Sequence, residues 1–220
     1  EIGCCLIDEY GLVHNEPFFS ELICPSEGTP SAYDIDLTGI TPSMLASARS
    51  AEAVFSDLRE RCLALGSFRV IAHNAKFDRG IAKRFPEQLA PLLAHPWIDT
   101  IHVAKRKLRL RSYSLDPVIE ALGIRMEGRR HRAFPDAHVT AQAFALMSSL
   151  PDRSHTQATL LQCDTHRSSD AKCKRQPNSR LGGRDPARAD PCPATRRRSE
   201  HGTHTLSCRA ITPSKNQYHP

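Results

Sequence analysis

Two aspartates and a histidine are the side chains whose types and spacing bear on chemistry. Asp78 ends the stretch His73-Asn74-Ala75-Lys76-Phe77-Asp78, and His131 and Asp136 bracket His131-Arg132-Ala133-Phe134-Pro135-Asp136. Each aspartate stands at the start of a helical pattern, where the helix dipole favours a carboxylate. Carboxylates from two separate helix starts can share a hard divalent cation, magnesium or manganese, which takes oxygen ligands and retains water. A loop histidine that ionises near neutral pH can accept a proton from an attacking water. This set matches metal-assisted phosphodiester hydrolysis, in which paired metals stabilise the attacking and leaving oxygens. Two carboxylates are too few for two metals, so further acids are required. Plainer readings stand alongside: Asp78 as a helix cap, and His131, between arginines, as a surface residue.

The elements that must position these residues alternate as in an α/β domain. Arg69-Val70-Ile71-Ala72, entered through Gly66-Ser67, reads as a buried strand that turns into a helix beginning near Phe77. Asp78 then sits at the mouth of that strand, where open α/β sheets bind ligands. Before it, Val54, Phe55, Leu58, Cys62 and Leu65 follow helical spacing, with Ser50 as N-cap. Thr41-Pro42 starts a shorter helix. Ile2 to Ile7 alternates little, which predicts a strand buried on both faces. A turn at Asp8-Glu9-Tyr10-Gly11 leads to an antiparallel return between Pro17 and Cys24. Trp97-Ile98-Asp99-Thr100 predicts a short strand before a helix over Ile101 to Lys107, and Asp116 to Leu122 a helix closed by Gly123. Val139, Ala143, Leu146 and Met147 form the expected buried face of the helix that Asp136 opens. The basic cluster Lys105-Arg106-Lys107 with Arg109 and Arg111 suits a solvated helix end better than a phosphate site.

Composition divides the chain near Leu150. Residues 1–150 hold 17 Lys+Arg against 18 Asp+Glu, whereas residues 151–220 hold 13 against 6. The basic excess therefore lies in the tail, and global charge says little about the partners of residues 1–150. The tail lacks Val, Phe, Met and Trp. With so little to bury it is expected to be disordered, leaving one folded domain over 1–150. The 8 cysteines form no C-x-x-C pair, and with no signal peptide in view they read as free thiols in a cytoplasmic protein. In the tail, Cys163-x-x-His166 and the spacing of His201, His204 and Cys208 have zinc-ligand types, but nothing apolar supports them. No run has the length of a membrane span. The chain begins at Glu1 without an initiator Met, as a fragment or processed product would.

The two acidic stretches resemble the second and third motifs of the DEDDh family of 3′–5′ exonucleases, which includes the proofreading subunit of bacterial DNA polymerase III. Asp99-Thr100, Ser112-Tyr113-Ser114-Leu115-Asp116 and Gly39-Ile40-Thr41 resemble its intervening segments, although Thr38 stands where a histidine is common. The resemblance implies a ribonuclease H-like α/β fold, a mixed sheet with flanking helices. It also implies Asp78 and Asp136 as ligands of a Mg2+ or Mn2+ pair, His131 as general base, and Asn74 and Phe77 in the nucleotide site. The substrate implied is the 3′ end of single-stranded DNA, with a polymerase subunit as possible partner. RNA trimming within the same family, or a non-catalytic nucleic-acid or polymerase-binding module, are the alternatives.

One departure stands out. The family's first motif, Asp-x-Glu, lies on an opening strand about a dozen residues before a Glu-Ile-Gly. Here Glu1-Ile2-Gly3 matches that second start, so the acidic strand is expected to be missing and Glu1 does not replace it. Negligible hydrolysis is one expectation. The other is a marginally stable domain, because the missing strand is the sheet's central one, between residues 2–7 and 69–72. Those strands must close up or leave backbone groups unpaired, each costing about 1–3 kcal/mol if buried. For the tail, a segment without selected structure is expected in preference to a nucleic-acid arm.

Overall fold

The computed structural model describes residues 1–153 and 204–210 of the 220-residue chain, and these form one compact unit. Its sheet has five strands: β1 (Ile2–Ile7), β2 (Phe19–Glu21), β3 (Phe68–Ala72), β4 (Trp97–Asp99) and β5 (His204–Ala210). Their order is β2-β1-β5-β3-β4. β1 runs antiparallel to β2 and β5, and β3 runs parallel to β4 and β5. The fold is thus the expected mixed sheet with flanking helices.

The central position is filled, and from an unexpected part of the chain. β1 and β3 neither close up nor lie unpaired, because β5 inserts between them with Cys4 opposite Cys208 and Val70 opposite Leu206. Disorder was the expectation for the whole tail, and residues 204–210 depart from it. Residues 154–203 and 211–220, with Cys163, His166 and His201, lie outside the described residues. The physical reason is local alternation. Leu206 and Cys208 face one side of the sheet and Thr205 and Ser207 the other, and all four are buried. Four inward positions suffice for a strand that enters a ready-made slot, because both neighbours supply its backbone partners.

Helices cover both faces. On one, Ile2, Cys4, Phe68, Val70, Leu206 and Cys208 pack against Val54, Phe55, Leu58 and Cys62 of α3 (Ala51–Leu65). The helix α5 (Ala90–Ala94) adds Leu92. On the other face, Cys5, Ile7 and Ile71 meet Ala137 and Ala141 of α8 (Ala133–Ser149). Small residues four apart let this helix approach closely. At Gly3 an added Cβ would stand 2.3 Å from the Phe134 backbone nitrogen, so only glycine fits there. Ser207 makes the matching contact from β5, its hydroxyl donating to the Ala137 carbonyl at 2.8 Å.

Local signals account for most of the remaining elements. α1 (Ala32–Thr38) starts with a capping box between Ser31 and Asp34, a helix that sequence analysis did not anticipate. Thr41 caps α2 (Pro42–Ala46) and Ser50 caps α3. α6 (Thr100–Lys107) and α7 (Leu115–Ala121) lie within a residue of expectation. Lys107 pairs with Asp152 at 2.9 Å, and Lys105 stands over the Tyr113 ring, so the basic cluster partly ties down its own helix end. Two boundaries and one burial differ. The return strand is confined to Phe19–Glu21, α4 (Ala75–Ala82) begins two residues before Phe77, and Leu146 is 45% exposed rather than part of the buried face of α8.

Candidate active site

Strand directions bring the chemistry-bearing residues to one end of the sheet. β3 ends at Ala72 and leads into His73, Asn74 and α4. β5, parallel to it, ends on the same side. Ala210 at the end of β5 pairs with Ile2, so the start of β1 lies there too. Glu1 in turn accepts from the Ala133 backbone nitrogen at 2.9 Å, which anchors the first turn of α8 at that end. Asp78 and Asp136, in the first turns of α4 and α8, therefore flank the same edge, and both are buried.

Asp78 is not the cap of its helix. Asn74 takes a left-handed backbone (φ 66°) and makes no capping bond with its side chain. Asp99, at the end of β4, supplies the cap, accepting from the backbone nitrogens of Asn74 and Ala75 at 3.2 Å each and from Ile101 at 2.9 Å. One carboxylate thus fixes the starts of α4 and α6 together. His73 is held beside them, its Nδ1 2.9 Å from the Thr100 hydroxyl. Phe77, in the first turn of α4, is 37% exposed. Across the sheet end, Asp78 acts on β5. The Cys208 thiol is pushed well above its ordinary range, first by its contact with Cys4 and by burial, then by the charges of Cys4, Cys62 and Asp78.

Asp136 has a different setting. The Arg130 guanidinium binds it and also bonds Asp116 at 2.6 Å. Burial works against the charge on Arg130, but its bonds to the two aspartates outweigh that and raise its pKa. The Arg130 bond holds the Asp116 carboxyl below its usual value, with further help from the charges of Arg130, His131 and His73. Asp116 is thus the point at which both histidines are felt. His131 itself has a left-handed backbone (φ 61°), turning the chain between two arginines that each hold a carboxylate. Arg132 binds Glu1 through Nε at 3.0 Å and Nη2 at 2.8 Å.

These donors do not fit a divalent metal pair. Near the sheet end, Asp136, Asp116, Asp99 and Glu1 already carry a guanidinium or backbone donors. The strand between β1 and β3 has Thr205, Leu206, Ser207 and Cys208, with no carboxylate. Among the described residues, no group of three or more His, Cys, Asp or Glu side chains is arranged to hold a metal ion. Arg130 supplies to Asp136 the positive charge that a cation would bring. Sequence reasoning missed Arg130, Asp116, Asp99 and Glu1 in these roles. The partners of Glu1 lie more than 130 positions along the chain, so no local pattern could have revealed them.

The exonuclease family model (RNase_T) matches residues 1–144. The chain belongs to this exonuclease family. It is 40% identical over 145 residues to a PolC-type DNA polymerase III of Thermotoga petrophila, covering 66% of this chain and 10% of that one. With the PolC-type enzyme of Thermotoga maritima the identity is 41% over 143 residues, 64% and 9% of the two chains. The chain thus spans about a tenth of the length of these polymerases. A structure of exonuclease X in complex with 5′ overhanging duplex DNA is 26% identical, with a TM-score of 0.48, covering 62% of this chain and 75% of that one. Among the described residues, no helix is long and apolar enough to cross a membrane.

Proposed function

We propose that this chain is a proofreading-type 3′–5′ exonuclease domain that engages the 3′ end of single-stranded DNA and, as constituted here, hydrolyses it negligibly. Family membership and the likeness to PolC-type polymerases support the DNA substrate and a polymerase as partner. The observation that carries the loss of hydrolysis is the guanidinium of Arg130 on Asp136, beside a central strand without acids. In the family, Mg2+ or Mn2+ would supply the attacking hydroxide and neutralise the phosphate. Here the chain's own groups remain. Asp78 and Asp136 are the ligand candidates, His131 the base candidate, and Asn74 and Phe77 the candidates for shaping a nucleotide site. Arg130 holds Asp136 in a salt bridge that a cation would have to displace, and the same guanidinium is tied to Asp116 through its Nε.

The test is to incubate the chain with 5′-labelled single-stranded DNA and with RNA of the same sequence across a Mg2+ and Mn2+ titration, and to measure binding by fluorescence anisotropy. The expected result is DNA binding in preference to RNA with no laddering from the 3′ end. Processive shortening at a rate typical of intact relatives would overturn the loss of hydrolysis. Shortening from the 5′ end would overturn the polarity, and tighter RNA binding would shift the substrate to RNA.

A further inference from the structure

The sheet contains a thiol pair that the candidate site does not use. Cys4 and Cys208 are directly opposed on antiparallel neighbours, and their Sγ atoms stand 3.3 Å apart. Both side chains point to the α3 face and both are buried. Opposed residues of antiparallel strands have Cα atoms about 4.5–5.5 Å apart, within the span a disulfide bridges. Closing from van der Waals contact to a bond of about 2 Å asks for side-chain rotation rather than strand movement. Cys5, the next residue, faces α8 instead and donates to the His14 carbonyl at 3.2 Å.

We propose that Cys4 and Cys208 are a redox modification site, oxidised by low-molecular-weight disulfides to a cross-strand bond that staples β5 into the centre of the sheet. The thiolate of one cysteine attacks the reagent disulfide, forming a mixed disulfide and releasing one reagent thiolate. The second cysteine's thiolate then attacks the protein sulfur of that mixed disulfide, releasing the other. Two cysteine protons pass to solvent and on to the departing thiolates, and two electrons to the reagent, which leaves as two thiols.

The proposal rests on the register and the sulfur distance and stands apart from the nuclease reading. Burial explains its kinetics. The thiols meet reagent only when β5 leaves its slot, so oxidation follows strand release and the bond forms as the strand returns. Cys62, buried on α3 in the same cluster, is the competing thiol. Burial, with a lesser contribution from Cys4, pushes its pKa up to about 12, and it sits on α3, whereas Cys208 stands opposite Cys4 in the ladder. The bond joins residues 204 positions apart. Constraining so long a loop in the unfolded chain is the condition under which a cross-link stabilises most.

The full chain is treated with oxidised glutathione, in buffer and in mild urea, alkylated, and mapped by non-reducing tryptic digestion alongside thermal melts. The expected result is a Cys4–Cys208 linked peptide that forms faster in urea, with a rise in Tm of roughly 10 °C that dithiothreitol reverses. Cys208→Ser and, separately, Cys4→Ser lose both the link and the rise. Linkage through Cys62, glutathione adducts at Cys24 alone, or free Cys4 and Cys208 after exposure in urea would each overturn the proposal. So would a cross-link that leaves Tm unchanged. The mapping of the unsubstituted chain decides the question even where a serine variant fails to fold.

Discussion

β1 and β5 lie side by side, bury both faces, and press on the same helix, yet they come from opposite kinds of sequence. β1 is a continuous apolar run that identifies itself within six residues. β5 belongs to a basic segment poor in large apolar residues, and holds its place through one leucine, two small hydroxyl residues and a cysteine. The two also meet α8 differently. β1 offers the bare backbone of Gly3, whereas β5 offers a hydroxyl that bonds the helix. The difference teaches that a strand's strength as a signal and its importance to a sheet are separate matters. β5 has neighbours on both sides, so its burial is set by the slot more than by its own composition.

That view predicts a descending series of effects. Deleting residues 204–220 should be the most severe change, because it unpairs the inner edges of β1 and β3 and uncovers α3 and α8. Far-UV circular dichroism with urea titration should show loss of the cooperative transition. A truncated chain melting like the full one would remove β5 from the core. Next, Leu206→Ala and Ile7→Ala should cost similar amounts, about 2–5 kcal/mol each in urea denaturation, since both side chains are almost wholly buried. A cost well under 1 kcal/mol at Leu206 alone would show that the two strands are unequal after all.

The contacts with α8 separate the strands more finely. Gly3→Ala must push α8 off the sheet and should cost about 1–3 kcal/mol, whereas Ser207→Ala loses one buried hydrogen bond worth about 1 kcal/mol. The same denaturation series reads both, and a reversed order would place the tighter approach at β5. The smallest effect belongs to His138, on α8 next to Ala137. Burial lowers its pKa, opposed weakly by Glu127. The unfolded chain then binds more protons, so stability should fall as pH drops from about 7 through the ordinary histidine range. His138→Gln should flatten that part of the stability profile, as read by urea midpoints at successive pH values.

How much of this was legible depended on whether the signal was local. β1, β3 and β4 announced themselves through apolar runs, and Ser50 and Thr41 cap helices from positions that any reader would pick. The first-turn placement of Asp78 and Asp136 was readable for the same reason. α1 went unseen because its capping box closes with Asp34 rather than the more familiar Glu or Gln. β5 went unseen because an average over seventy residues hides an alternation of four. The Arg130 clamp was not readable at all, since Asp116 and Asp136 lie 14 and 6 positions from it and meet only when α7 and α8 have docked.

The position of β5 in the middle of the sheet also bears on how the domain is made. The pairings of β1 with β2 and of β3 with β4 span short stretches of chain, but those of β5 reach back to strands far earlier in the sequence, β1 above all. During synthesis β1 would emerge long before β5 and wait, its inner edge exposed, until residue 210 had cleared the ribosome. Pairings so distant are slow to form, and strands left waiting are prone to stick to other chains. Refolding yield should therefore depend on protein concentration more steeply than for domains of similar size whose central strand is made first.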